Sequence, residues 1–185
     1  MKTEYYRSYD WLFYFHDILL ETRIRSAKFF DPQQFPWYRL DNVGPYTFSP
    51  YKVLWKEQAK AMQCCVVSSI TNEFVTNKKV MVDSKVLFVA LDNEMEAYYL
   101  CGLMNSQIVE DIVKGYTINT NRGVDIVKNI NFPKFDSNNP NHVAIANASK
   151  RAHEAYKQED EATISQQEIL INQLVPVVFG AIIKK

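Results

Sequence analysis

The chain has few of the residues that usually announce chemistry. Its 185 residues include only 5 glycines, 3 cysteines and 3 histidines. Gly44, Gly102, Gly115, Gly123 and Gly180 form neither G-x-G-x-x-G nor G-x-x-x-x-G-K-[ST]. The usual phosphate- and dinucleotide-cradling loops therefore have no support. Cys64 and Cys65 are adjacent, Cys101 stands alone, and no C-x-x-C spacing exists. That pattern argues against a zinc site or a disulfide framework and fits reduced, buried thiols of a cytosolic protein. His142 and His153 share a helical face but lie roughly 16 Å apart at a rise of about 1.5 Å per residue, too far to share a metal. Glu94 and Glu96 point to different helix faces and make a poor acid–base pair. Long apolar runs are also missing. Trp11–Leu20 is interrupted by His16 and Asp17, and Leu174–Ile183 is short and holds Pro176 and Gly180. The expectation is a cytoplasmic protein with no membrane partner and no metal.

What the chain has is apolar bulk, at 47% hydrophobic and 14% aromatic residues. A chain of this length buries a conventional core, so one domain with a helical appendage is expected. Formal net charge is zero but unevenly spread. Residues 1–91 carry 12 Lys and Arg against 9 Asp and Glu, and residues 92–185 carry 9 against 12. Between Arg23 and Lys60 the balance is 7 basic to 3 acidic, a local excess suited to a phosphate backbone.

Periodicity predicts one helix over 4–28, broken by Asp31-Pro32 and Phe35-Pro36, and a short strand at Trp37–Leu40. Alternation over Tyr51–Glu57 predicts a half-buried strand. Further strands are expected at Cys64–Ile70, Val80–Val82 and Val86–Leu91, the last central because it is apolar on both faces. Asn93 with Glu96 reads as a helix start, with a break at Asn105-Ser106 and a stop near Gly115. Asp125–Phe132 reads as a strand. Asn139-Pro140 opens a helix to about Gln158, and a last helix is expected to be capped by Thr163 with Gln166 and kinked or ended at Pro176. The fold class is α+β: a mixed, mostly antiparallel twisted sheet with flanking helices, preceded by an N-terminal helix and followed by C-terminal helices. The expected divisions are 1–30, 31–136 and 137–185.

The densest stretch is Val43–Lys56, with a Gly-Pro turn, four aromatics and two lysines. Within it, Tyr46-Thr47-Phe48-Ser49-Pro50-Tyr51-Lys52-Val53-Leu54-Trp55 resembles the Y-T-F-[AS]-P-Y-K-V-x-W signature of adenine-specific DNA methyltransferases of restriction–modification and phage-defence systems. Other segments follow the same family in order. They are Phe35–Leu40, Val82–Leu91, Ala97–Ser106 (A-Y-Y-L-x-A-L-L-N-S), Ile130–Asp136 (I-x-I-P-K-F-D) and Ser149–Glu154 (S-R-R-A-H-E). The resemblance spans roughly residues 30–158 and is to the C-terminal target recognition domain, TaqI-like or type I specificity-subunit-like.

The resemblance implies double-stranded DNA as ligand. It implies as partners an upstream methyltransferase domain and a restriction subunit, with S-adenosylmethionine bound in that upstream domain and no cofactor in this chain. The family's Asn/Asp-Pro-Pro-Tyr/Phe motif is missing, since Asn138-Asn139-Pro140-Asn141 lacks the second proline and the aromatic that would stack on a flipped adenine. The chain thus reads as a recognition piece without catalytic residues. Lysine and arginine would fix register on phosphates while loop side chains read bases. The candidate DNA-binding residues lie in or beside the loops 57–63, 71–79 and 117–122: Lys52, Lys56, Gln58, Lys60, Asn72, Lys78, Lys79, Asn119, Asn121 and Arg122. A rival reading is a protein-interaction module that docks a methylase or nuclease through residues 11–24 and 174–183. A third is a thiol enzyme using Cys65 or Cys101.

Overall fold

A computed structural model describes residues 2–26, 31–39, 43–83, 85–116 and 122–180. The chain divides into two units, residues 1–43 and residues 44–185. The first holds α1 (Tyr6–Phe13) and α2 (His16–Ser26). The single helix expected over 4–28 is broken at Tyr14-Phe15, where Phe15 N–H turns back to the Leu12 carbonyl. Three successive aromatics, Phe13-Tyr14-Phe15, lose rotamer freedom against a helical turn, and the chain tightens there instead. Residues 37–39 form a turn rather than the expected strand, and Leu40 lies outside the described residues. Trp37 is the hub of a ring cluster with Tyr9, Phe13, His16 and Tyr38, at centroid separations of 5.0–6.2 Å.

The second unit is α+β, as its sequence pattern indicates. A 3₁₀ turn at Pro45–Phe48 leads into β1 (Tyr51–Lys56), β2 (Cys64–Val67), β3 (Ser69–Ile70), β4 (Lys78–Lys79) and β5 (Val86–Leu91). Then come α3 (Glu94–Met104), α4 (Gln107–Tyr116), α5 (Asp125–Asn129), α6 (Pro140–Lys157) and α7 (Glu161–Val178). The main sheet has the order β2-β1-β5, antiparallel throughout, and β3 and β4 form a separate hairpin.

Alternation in β1 puts Tyr51, Val53 and Trp55 on one face and Lys52, Leu54 and Lys56 on the other. The first face packs on α3 and α4 through Ala97, Cys101, Met104, Val109 and Val113. The opposite flank of α3 presents Tyr99 and Leu103 to Ile145, Ala146 and Ala148 of α6 and to Ile171 and Val175 of α7. A helix between two apolar layers is apolar all round, which is why α3 reads Ala-Tyr-Tyr-Leu-Cys-Gly-Leu-Met. Gly102 is required by close approach, since a Cβ there would sit 2.8 Å from Ile145 Cγ2.

Several expectations change. β5 is an edge strand, not a central one; its residues are partly covered by layers above and below rather than by two neighbouring strands. The strand expected over Cys64–Ile70 is split after Val67, and Lys78–Lys79 replaces Val80–Val82 as the pairing segment. Asp125–Phe132 starts as helix, because Ile126 and Ile130, four apart, both enter the core. The last helix is capped by Asp160, not Thr163, with the Asp160 carboxylate accepting from Thr163 N–H at 3.0 Å. Pro176 sits inside its final turn. Asn93 caps α3 by accepting from Glu96 N–H, and Asn139 caps α6, as their sequences indicate.

Candidate nucleic-acid interface

The outward face of the sheet carries the cations of the 43–56 stretch. The Lys52 ammonium donates to the Ser49 carbonyl at 3.0 Å, and the Lys79 ammonium, arriving from β4, donates to the preceding carbonyl, that of Phe48. Two positive groups thus meet two consecutive peptide oxygens. Burial lowers the Lys52 pKa from its ordinary value, and the neighbouring Lys79 charge lowers it further. Tyr46 and Phe48 are exposed above them, and Tyr46 tilts over Phe88 of β5 at 5.9 Å. The turn that holds these rings is fixed by Thr47, whose buried hydroxyl accepts from Gly44 N–H at 3.1 Å.

Lys52 itself has no accessible surface. The expectation that it is exposed enough to touch phosphate is corrected: its side chain is covered and its ammonium donates to Ser49. Arg122 is corrected more strongly. It is 1% exposed, its guanidinium donates to the Lys60 carbonyl at 3.0 Å, and it lies 3.5 Å from a Glu110 carboxylate oxygen. Its own backbone accepts from Trp55 Nε1 at 2.8 Å and donates to the Glu57 carbonyl at 2.6 Å. Glu110 also accepts from Met62 N–H at 2.7 Å and from Lys114 at 3.2 Å. Arg122 and Glu110 therefore staple the 57–63 loop to α4, and the Arg122 side chain is enclosed rather than presented on a loop surface.

That stapled loop presents Gln58 and Lys60 to solvent, and Lys56 is exposed at the end of β1. The hairpin presents Lys78 and Lys79 opposite Ile70 and Ser69. Its tip is folded by Asn72, whose side-chain oxygen accepts from both Phe74 and Val75 N–H at 2.9 Å each. Both lone pairs of that oxygen are occupied, so bidentate reading of adenine, which needs the amide oxygen and nitrogen together, is closed to Asn72 in this conformation. Asn119 and Asn121 lie outside the described residues.

Among the described residues, Lys56, Lys60, Lys78 and Lys79 form no ion pair with a carboxylate, and neither does Lys52. In the helical layers Lys150 pairs with Glu94 at 3.0 Å, and Lys114 and Arg122 converge on Glu110. Among the described residues the helical layers hold cations without a carboxylate partner too, among them Lys128, Arg151 and Lys157. No residue motif shows which lysines are paired, because that depends on which carboxylates the fold brings near them.

Cys64 and Cys101 are buried as expected, whereas Cys65 is exposed. Burial raises the Cys101 pKa to about 12 and pushes the Cys64 and Cys65 pKa values up as well. Cys101 Sγ lies 4.0 Å from His153 Nε2, but that nitrogen accepts from Val66 N–H at 3.0 Å while Nδ1–H donates to the Ser149 carbonyl at 2.7 Å. The imidazole is neutral and occupied, so it does not serve as a base. Asn105 works beside it, accepting from Cys64 N–H at 2.7 Å and donating to the Cys64 carbonyl at 2.9 Å. Asn105 and His153 thereby close the free edge of β2. Among the described residues there is no cluster of ligands suited to a metal and no helix long and apolar enough to cross a membrane. No protein-family model matches the chain, and no curated protein matches it.

Proposed function

We propose that residues 44–185 are the DNA-recognition domain of an adenine-specific, S-adenosylmethionine-dependent methyltransferase system of the restriction–modification or phage-defence type. It works in the cytoplasm, with methyl transfer performed by a catalytic module outside this chain. The observation that carries the reading is the set of lysines without carboxylate partners on the sheet and hairpin side, with Lys52 and Lys79 converging on the Phe48 and Ser49 carbonyls. A duplex supplies the missing counter-charge. Lys56, Lys60, Lys78 and Lys79 meet phosphates, and Gln58, exposed on its stapled loop, is the residue type that suits an adenine edge in the major groove. The ordered family resemblance points to the same ligand.

The test is binding to a randomised duplex pool followed by a salt titration of the selected sites. Affinity is expected to fall log-linearly with salt, by about 0.9 in slope for each phosphate neutralised. No enrichment of any duplex, or binding that ignores salt, would sink the reading. Comparing adenine methylation of the host genome with and without the parent gene then assigns the site.

A second reading, a module that docks a methylase or nuclease subunit, rests on a different observation. Trp11, Phe13, Tyr14, Phe15 and Ile18 are all exposed on or between α1 and α2. Exposed apolar side chains in that number suit a protein-interaction site. The two readings are compatible, because a recognition domain has to attach to its catalytic partner.

A further inference from the structure

The two edges of the main sheet are finished differently. In β2, the outward Cys64 and Val66 amides are taken by Asn105 and His153. β5 lies beside β1 in the register Tyr51↔Leu91 through Lys56↔Val86; because Cys64 and Val66 turn outward, Lys52 and Leu54 bond to β2, and Tyr51, Val53 and Trp55 bond to Leu91, Val89 and Leu87. Strict alternation then leaves Val86, Phe88 and Ala90 with N–H and C=O pointing away from β1. Among the described residues none of these groups has a hydrogen-bond partner. Natural edges are usually blunted by lysine, proline or a bulge, and β5, Val-Leu-Phe-Val-Ala-Leu, has none of these. Below it lies a groove of about 600 Å³ lined by Val89, Leu91, Leu100, Ile130, Phe132 and Phe135 among others.

We infer that β5 is the self-association edge of this protein, pairing antiparallel with β5 of a second copy across a twofold axis at Phe88. The strand is its own best complement. With Phe88 opposite the partner's Phe88, and Val86 opposite the partner's Ala90, every outward donor and acceptor finds its counterpart and two three-stranded sheets become one of six. No charge lies within β5 to oppose the pairing, and the Phe88 rings form a cross-strand aromatic pair. Leu87, Val89 and Leu91 of the two copies share one face, so the partner's apolar side chains extend over the groove. A second copy therefore fits both the backbone edge and the apolar floor beside it. Nothing in this pairing depends on DNA.

The test is sedimentation equilibrium of the full chain from sub-micromolar to near-millimolar concentration, beside Ala90→Pro. That substitution removes an outward donor with no hydrogen bond inside the protomer, at the kind of position where sheets tolerate proline. A dimer that Ala90→Pro weakens by at least about tenfold is expected, equivalent to roughly 1.4 kcal/mol. A chain that stays monomeric throughout, or a dimer that Ala90→Pro leaves intact, overturns the inference. Circular dichroism establishes that the variant folds. If it does not, hydrogen exchange of the wild-type segment 86–91 decides: it slows with concentration if the edge pairs, and concentration-independent exchange overturns the inference.

Discussion

Residues 1–43 and residues 44–185 use apolar side chains in opposite ways. In the first, aromatic rings meet edge to face around Trp37, and no described side chain is fully buried. In the second, Val53, Cys101, Leu103, Met104, Val109, Val113, Ile145 and Val175 are completely enclosed between layers. The difference teaches where stability is concentrated. Burial stabilises in proportion to area removed from water, and the second unit removes whole side chains where the first removes parts of rings. The first unit keeps its apolar surface available, and the second keeps its charge available.

The strongest way to break the second unit is Glu110→Ala. It leaves Arg122 enclosed without its carboxylate and Met62 N–H without an acceptor, and is expected to cost about 3–5 kcal/mol in urea denaturation. A loss below about 1 kcal/mol would show that Arg122 reaches water by a small rearrangement.

Asn105→Ala, which reopens the β2 edge, is expected to cost about 1–3 kcal/mol by the same measurement. His153 adds a pH signature. Burial, its largest cause, and the nearby Lys157 charge lower its pKa below the ordinary 6.5, against the raising effect of its bond to Ser149. The unfolded chain therefore takes up this proton first as pH falls. The resulting linkage makes stability decline as pH drops below about 6.5 towards the depressed folded value, with none of this loss above the unfolded pKa. His153→Gln should flatten that part of the profile, and an unchanged profile would remove His153 from the account.

Smaller effects sharpen the charge side of the comparison. Lys78→Ala and Lys79→Ala should each reduce the salt slope of DNA binding by about one, weakening all duplexes alike. Trp11→Ser in the first unit should leave that slope unchanged. Smallest of all, Trp37→Leu should alter local tryptophan fluorescence while shifting the unfolding of residues 44–185 by less than about 0.5 kcal/mol.

The legible parts of the fold were those fixed by nearby residues. Asn93 and Asn139 announce their helices because a cap needs only its own next three residues, and Tyr51–Lys56 announces its strand by alternation. β5 misled because six apolar residues look the same whether covered by neighbouring strands or by layers. Asp125–Asn129 misled because its helix depends on where Ile126 and Ile130 land in the core. Of the candidate site, Lys56, Gln58, Lys60, Lys78 and Lys79 are presented on the surface. Lys52 and Arg122 are not, because charge says nothing about enclosure, and Asn72 has spent its oxygen on its own hairpin. The pairing of Lys52 with Lys79 was illegible, being a tertiary meeting of residues 27 apart.

The seal on β2 also sets a schedule for the growing chain. Asn105 reaches it from 41 residues downstream and His153 from 87. At translation rates of about 5–20 residues per second, Val66 waits roughly 4–17 s for its acceptor to be made. Once β5 is made, the nascent sheet has an open β2 edge beside the β5 edge until Asn105 and then His153 arrive. A ribosome pause between the codons for α3 and α6 would prolong that exposure, so codon usage there should govern the soluble yield of a protein whose finished sheet is protected on that side.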